Sequence, residues 1–361
     1  MSDDLRFGIV GAGMMGLEHF RNLRALPGAV VTAIADPHPE SRELATLTAA
    51  GDPLTCFASH QDLVESGLVD AVVIATPNMT HADVLRDVLA SPLPVLVEKP
   101  LCTTVADCRA VVELTRARDA IVWVGLEYRY MPPVARLVET VHNGAVGRVR
   151  MVSIREHRFP FLEKVGDWNR FNRNTGGTLV EKCCHFFDLM NHIVGAPPVR
   201  VFASGAQDVN HLDERYDGET PDILDNAFVI VDYADGTRAL LDLCMFAEGS
   251  EHQEELSVVG DAGKVEAFLP SCELRVGVRA PFRGPVTSEI VHDARVGHEG
   301  FHHGSSYLEH LDFLDAVRTG APPAVDVAQG LQSVAMGVAA HRSIDAGRAV
   351  TLEEVLADPT A

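Results

Sequence analysis

The first run whose spacing could do chemistry is Gly11-Ala12-Gly13-Met14-Met15-Gly16, which follows the apolar segment Phe7–Val10 and opens a helical pattern. In a strand–turn–helix setting each glycine has its own task. Gly11 permits a tight turn, Gly13 lets the backbone approach a pyrophosphate, and Gly16 lets the helix pack close to the sheet. The N–H groups at the helix start, those of Met14 and Met15, would then hold phosphates. An acidic residue is expected about 20 positions further on, at the end of the next strand, and Asp36 stands there. Its carboxylate would accept hydrogen bonds from both ribose hydroxyls and repel a 2′-phosphate, which favours NAD over NADP. The ordinary alternative is a Gly-rich turn with a capping Asp.

Two further sites stand at the same sheet edge, outside the carboxyl ends of the strands, where ligands bind in such sheets. Ala75-Thr76-Pro77-Asn78 ends one strand-like segment. Thr76 and Asn78 either reach the nicotinamide end of a dinucleotide or simply make a Pro-Asn turn. Val95-Leu96-Val97-Glu98-Lys99-Pro100 ends another. Pro100 stops the pairing and holds Lys99 extended, which fixes an ammonium at the crevice; the alternative is an exposed lysine at a strand end. A last run, Gly176-Gly177-Thr178-Leu179-Val180-Glu181-Lys182-Cys183-Cys184-His185-Phe186-Phe187-Asp188, reads as part of an apolar helix over Thr178–Val194. Glu181, His185 and Asp188 at i, i+4, i+7 share one face of it. Buried ionisable groups need partners or a task, and a histidine flanked by two carboxylates suits a general base with an orienting partner.

These residues need two kinds of scaffold. Leu5–Val10, Val30–Ala35, Ala71–Ala75, Val95–Val97 and Ile121–Val124 read as strands buried on both faces, separated by helical patterns at Met14–Ala25, Ser41–Ala50, Thr80–Ala90 and Thr104–Arg118. That alternation predicts a doubly wound parallel sheet, a Rossmann domain over residues 1–125. Residues 126–361 change rhythm: a helix at Pro133–His142, a strand at Arg148–His157, a polar loop, then hairpin signals at Asp235-Gly236 and at Gly260-Asp261-Ala262-Gly263. They predict an α+β domain with a large open, mostly antiparallel sheet. Closing helices at about residues 306–346 are expected to pack back toward the first domain. A sheet with helices on one side leaves the other face to be covered, which predicts a homodimer or homotetramer.

Composition bounds the partners. In 361 residues, 30 Lys+Arg against 51 Asp+Glu give a formal charge of −21, which disfavours nucleic acid and anionic lipid. No apolar run approaches the roughly 18 residues of a membrane span. Seven cysteines without a CxxC pair, and an acidic Met1-Ser2-Asp3-Asp4 opening unlike a secretory signal, predict free thiols and a cytoplasmic location.

Taken together, the GAGMMG turn, Thr76-Pro77 with His81, the Glu98-Lys99-Pro100 motif and the segment carrying Glu181 and His185 resemble the Gfo/Idh/MocA oxidoreductases, a family that includes glucose–fructose oxidoreductase and inositol dehydrogenases. The resemblance covers nearly the whole chain. It implies an active site at the domain interface, with Lys99 and His185 as the catalytic pair, Glu181 where the family usually has Asp, and His81 and Glu98 among the residues around the cofactor. The segment Val180–Leu189 is most similar to members acting on inositols or on the C3 hydroxyl of glucosides. Oxidising a secondary alcohol removes a hydroxyl proton as hydride leaves the carbinol carbon. His185 would take the proton, Lys99 would stabilise the alkoxide and Glu181 would hold the imidazole tautomer.

Candidate substrate contacts are Tyr128, Arg129, His157, Trp168, Arg170 and His303, each of which also has an ordinary structural reading. The expected function is NAD-dependent oxidation of a cyclic polyol, sugar or glycoside. The rival readings are an NAD-dependent glycosidase working by transient oxidation and a non-catalytic NAD(H) sensor. His298-Glu299-Gly300-Phe301-His302 matches the HExxH zinc signature, but that motif works only on a helix. Glycines interrupt it here, and no metal is expected.

Overall fold

The computed structural model describes residues 4–361, so the opening Met1-Ser2-Asp3 lies outside the described residues. The chain divides into two compact units: Met1–Glu127 with Lys164–Trp168 and Arg295–Val334, and Tyr128–Glu163 with Asn169–Ala294 and Ala335–Ala361.

The first unit is built on six parallel strands, β1 (Leu5–Val10), β2 (Ala29–Ala35), β3 (Thr55–Phe57), β4 (Ala71–Ile74), β5 (Val95–Glu98) and β6 (Val122–Gly125). Their order is β3-β2-β1-β4-β5-β6, the dinucleotide-binding arrangement. The expectation of a doubly wound sheet holds, with one strand more than the pattern gave. β3 is a three-residue edge strand with no fully buried position, too short to show a periodicity. Every residue of β4, β5 and β6 is buried, as expected where helices cover both faces. The helix Ser305–Thr319 belongs to this unit: Phe313 meets Phe7 and Trp123 at ring-centroid distances of 6.2 and 5.9 Å, and Trp123 Nε1 donates to Glu309 at 3.1 Å.

The second unit carries nine strands: β7 (Val149–His157), β8 (Pro198–Ala206), β9 (Asn226–Tyr233), β10 (Arg238–Cys244), β11 (Glu254–Gly260), β12 (Gly263–Leu269), β13 (Glu273–Val278), β14 (Val286–Ile290) and β15 (Val350–Thr351). They are ordered β14-β13-β12-β11-β7-β10-β9-β8-β15. Every pairing is antiparallel except β7 with β10. The alternation along β7 and β11 puts Val152, Ile154, Leu256 and Val258 on one buried face. The helices Pro132–His142 and Cys184–Val194 pack on this unit's sheet. The expected hairpins at Asp235-Gly236 and at Gly260–Gly263 are both present. Among the described residues no helix is long and apolar enough to cross a membrane.

One local feature ties the first unit's backbone together. A Cβ on Gly16 would stand 1.9 Å from the Gly11 carbonyl oxygen, whereas one on Gly13 would meet nothing within 4 Å. The helix Met14–Ala25 thus starts in van der Waals contact with the turn that precedes it. Gly16→Ala should therefore destabilise the protein by roughly 1–3 kcal/mol, the usual cost of overpacking, while Gly13→Ala should leave stability unchanged. Urea unfolding midpoints check this, and equal midpoints for the two variants would overturn it.

Candidate active site

In the first unit, the turn Gly11–Gly16 leaves the end of β1 with Gly11 at φ +94, its hydrogen side 2.5 Å (as a Cβ position) from the Ala75 carbonyl oxygen at the end of β4. Only glycine combines that φ with that approach. Gly13 is different: its φ of −74 suits any residue, and the space beside it is open. Nothing in the fold demands glycine there, whereas a pyrophosphate lying on the turn would. The helix Met14–Ala25 has no side-chain cap at its N-terminus and no acidic residue in its first turn, so its leading N–H groups keep their positive field for an anion.

Asp36 follows β2. Its Oδ2 accepts from the Ala12 N–H at 2.8 Å and its Oδ1 from the His38 N–H at 2.8 Å. It therefore caps the turn as the plain structural reading expected, and a carboxylate with two acceptor oxygens retains lone pairs for ribose hydroxyls. At the end of β4, Thr80 donates to Thr76 Oγ1 at 2.8 Å, and Asn78 is buried with its Nδ2 lacking a hydrogen-bond partner among the described residues. The open cradle at Gly13, the Asp36 carboxylate and this orphaned amide fit a bound dinucleotide.

His81 and Glu98 are bonded within the protein itself. The fully buried His81 ring sits 2.8 Å from the Pro100 carbonyl and 3.0 Å from that of Thr76, joining the turns after β4 and β5. Burial outweighs those bonds and lowers its proton affinity below the usual imidazole range. Glu98, the last residue of β5, holds His19 Nε2 at 2.8 Å through Oε1 and accepts the Lys99 N–H at 3.1 Å through Oε2. Burial opposes ionisation of this carboxyl, but the hydrogen bond and charge of His19 prevail and bring it down to about 2. His19 Nδ1 in turn lies 2.8 Å from His310 Nε2. Lys99 is half-buried just beyond the strand. Trp168 and His303, also in this unit, are half-buried, His303 at φ +56.

In the second unit, the expected helix Thr178–Val194 is two helices, Thr178–Glu181 and Cys184–Val194. The Cys183 N–H reaches back to the Thr178 carbonyl at 3.3 Å, and no glycine or proline marks the break. Glu181 closes the first helix and His185 is the second residue of the next, so the two are not on one continuous helical face. His185 is 2 % exposed and stacks on Tyr128, rings 4.0 Å apart and 11° from parallel. The Tyr128 hydroxyl accepts from Lys182 Nζ at 2.5 Å, and Lys182 is paired to Glu156 at 2.9 Å. Glu181 is buried.

Asp188 holds Arg129 in a two-pronged ion pair of 2.6 and 2.5 Å, so Arg129 anchors the helix Cys184–Val194. Arg170 is buried against Glu214 at 3.0 Å. His157 pairs with Asp242 at 3.1 Å, on the sheet face opposite that of its buried neighbour Glu156. Of the candidate substrate contacts, Tyr128 lies beside His185. Sequence reasoning missed Lys182, Glu156 and His19. Glu156 did carry a signal, because it shares the buried parity of Val152 and Ile154.

The segment His298–His302 is irregular at His298 and Glu299 and turn from Gly300, which has φ +58, and does not present its histidines from a helix. Among the described residues no group of three or more His, Cys, Asp or Glu is placed to hold a metal ion.

Comparison with known proteins agrees with this fold. The profile described as "Oxidoreductase family, NAD-binding Rossmann fold" matches residues 5–126, and that of the "Oxidoreductase family, C-terminal alpha/beta domain" matches residues 138–352. The chain is similar to a myo-inositol 2-dehydrogenase of Thermotoga maritima, 28% identical over 98% of this chain and 100% of that protein. It is also similar to an inositol 2-dehydrogenase of Rhizobium meliloti, 26% identical over 96% and 99%. The solved structure of a probable dehydrogenase from Thermotoga maritima superposes with a TM-score of 0.78 at 26% identity, covering 97% of this chain and 100% of that one. That of levoglucosan dehydrogenase in complex with NADH and levoglucosan shares the fold, with a TM-score of 0.83 at 21% identity over 96% and 99%. With both of its domains matched, the chain belongs to the Gfo/Idh/MocA family of oxidoreductases and carries that family's NAD-binding Rossmann domain.

Proposed function

We propose that the protein oxidises a secondary hydroxyl of a cyclic polyol, sugar or glycoside with NAD as acceptor, and that His185 and Lys99 assist removal of the hydroxyl proton. The observation that carries this reading is His185 itself: an imidazole buried to 2 % exposure and stacked on Tyr128. It is supported by full-length similarity to proteins named inositol 2-dehydrogenases. NAD, when bound, supplies the acceptor for the hydride. The turn Gly11–Gly16 would hold its pyrophosphate, Asp36 its ribose, and Thr76 and Asn78 its nicotinamide end. His185 takes the hydroxyl proton, Lys99 stabilises the negative charge that develops on the substrate oxygen, and Glu181 orients the imidazole. Screening inositols, free sugars and glycosides for NADH formation tests the reaction. Release of free sugar without net NADH would overturn it in favour of a glycosidase.

The exposed face of the second unit's sheet carries Phe202, Phe228 and Ile230 at 44, 60 and 45% exposure on the adjacent strands β8 and β9, with Phe202 directly opposite Ile230. We propose that a second copy of the chain covers this face in a homodimer or homotetramer. Phe228→Glu should then lower the mass found by light scattering to that of the monomer, and an unchanged mass would overturn the assignment.

The cofactor assignment separates binding from stability. Removing the Asp36 carboxylate forfeits charge-assisted hydrogen bonds worth about 1.5–3 kcal/mol. Asp36→Ala should therefore raise the Michaelis constant for NAD about ten- to a hundredfold and narrow the preference for NAD over NADP. Gly13→Ala should weaken NAD binding, although it leaves the unliganded fold undisturbed. Wild-type NAD affinity in both variants would remove the turn from the cofactor site.

The proposed acid–base pair has its own check. Lys99→Met and His185→Ala should each reduce kcat by about 10²–10⁴-fold while NAD still binds. Because both serve one proton transfer, the double variant should lose far less than the product of the two losses. Strictly multiplicative losses would show that the two residues act on separate events.

A further inference from the structure

Behind His185 the second unit buries more charge than its core needs. Glu156 on β7 and Glu254 on β11 are 0 and 2 % exposed and stand directly opposite one another in the antiparallel register. Two facing carboxylates in an apolar setting do not both stay ionised easily. Burial, followed by the charge of Glu156, raises Glu254 to about 7, and its Oε1 accepts from Gln253 at 2.6 Å. The cations answering them are Arg158, 3.4 Å from Glu156, and Lys182, 2.9 Å from the same carboxylate oxygen.

Lys182 stands in the junction between the helices Thr178–Glu181 and Cys184–Val194, against the rings of Tyr128 and Phe186, and burial lowers its proton affinity against the pull of Glu156. A hydrocarbon side chain here, facing a neutral residue in place of Glu156, would fill that space at no electrostatic cost. What the ammonium adds is a directed contact. Besides Glu156 it donates to the Tyr128 hydroxyl at 2.5 Å and lies 4.7 Å from the centre of that ring. The ring has His185 stacked on it at 4.0 Å and Phe186 packed edge-on at 5.7 Å. The contacts form one chain, from the Glu156 carboxylate through Lys182 and Tyr128 to the imidazole.

We propose that Lys182 is a positioning residue of the active site: anchored by Glu156, it fixes the Tyr128 phenol and so holds the ring against which His185 is set. This rests on His185 being the proton acceptor, but its geometric part does not. Stacking holds an imidazole at a set distance from the aromatic face, so a phenol pinned through its hydroxyl fixes where that face lies and what His185 rests against. An imidazole displaced by a fraction of an ångström reaches its proton less often, and misplacement of about 1 Å can cost on the order of 10²-fold.

The test uses two variants, because Lys182→Met alone leaves Glu156 as an uncompensated buried charge and can fail to fold. Lys182→Met/Glu156→Gln removes both charges together, and Tyr128→Phe removes the hydroxyl but keeps the ring. In histidine-labelled protein, the His185 ring C–H resonance is assigned by its loss in His185→Ala. In wild type the Tyr128 ring current should shift it upfield, and both variants should move it back toward the unstacked position. With whichever inositol, sugar or glycoside forms NADH fastest in the screen, kcat should fall about ten- to a hundredfold in both variants, with the Michaelis constant for NAD within about twofold of wild type. In a His185→Ala background the same changes should cost almost nothing. An unmoved resonance and undiminished kcat in folded variants would overturn the inference and reduce the chain of contacts to a core ion pair. Equal losses with and without His185 would overturn it too. Wild-type turnover of His185→Ala, by contrast, would overturn the proposed role of His185, while the resonance would still report whether Lys182 holds the ring.

Discussion

The hydrogen bond between His19 and the Glu98 carboxylate joins the helix that starts at the Gly-rich turn to the strand that ends beside Lys99. A carboxylate at the end of a fully buried parallel strand has left water behind, and a charge in that position persists only with a close partner. His19 supplies it at 2.8 Å, and His310 backs the second nitrogen of that ring at the same distance. The position of the Lys99 backbone, whose N–H is tied to the same carboxylate, therefore depends on a helix that begins 85 residues earlier in the sequence and on another that begins 206 residues later. The second unit obeys the same constraint with different residues, since Glu156 and Asp188 are each met by a cation within 3 Å.

The same economy of charge shows which conspicuous residues are taken up by the fold itself. Arg129, Arg170 and His81 have the residue types of ligand contacts, yet each is committed to a carboxylate or to backbone carbonyls.

Much of this could be read in advance, and the failures have physical causes. Strands buried on both faces announce themselves as Val, Ile and Leu runs, so the Rossmann core was clear except for the three residues of β3. β8 escaped because Val199 and Phe202 face outward and spoil the alternation, and β14 because none of its residues is buried. The continuous helix expected over Thr178–Val194 had no glycine or proline to interrupt it; the break at Lys182–Cys183 follows from packing, which periodicity does not report. The Gly-rich turn and Asp36 are local in sequence, and the strand–turn–helix setting expected for them is present. The Glu156–Glu254 pair is 98 residues apart in the chain, and although each sits on the apolar parity of its strand, only the sheet register brings them opposite one another.

The composition of the first unit also has a consequence for how the protein is made. Phe313 and Glu309, which cover and hydrogen-bond Trp123, and Val325, whose carbonyl takes the Val124 N–H, all lie beyond residue 300. The ribosome releases the six strands of the parallel sheet long before it releases the helix that completes their core. The first unit to emerge is therefore among the last to be finished, and until then one flank of its sheet stays apolar and open. A chain halted near residue 290 would present that flank to chaperones and to its own copies, so early termination in this protein should yield aggregates rather than a small working dinucleotide-binding domain.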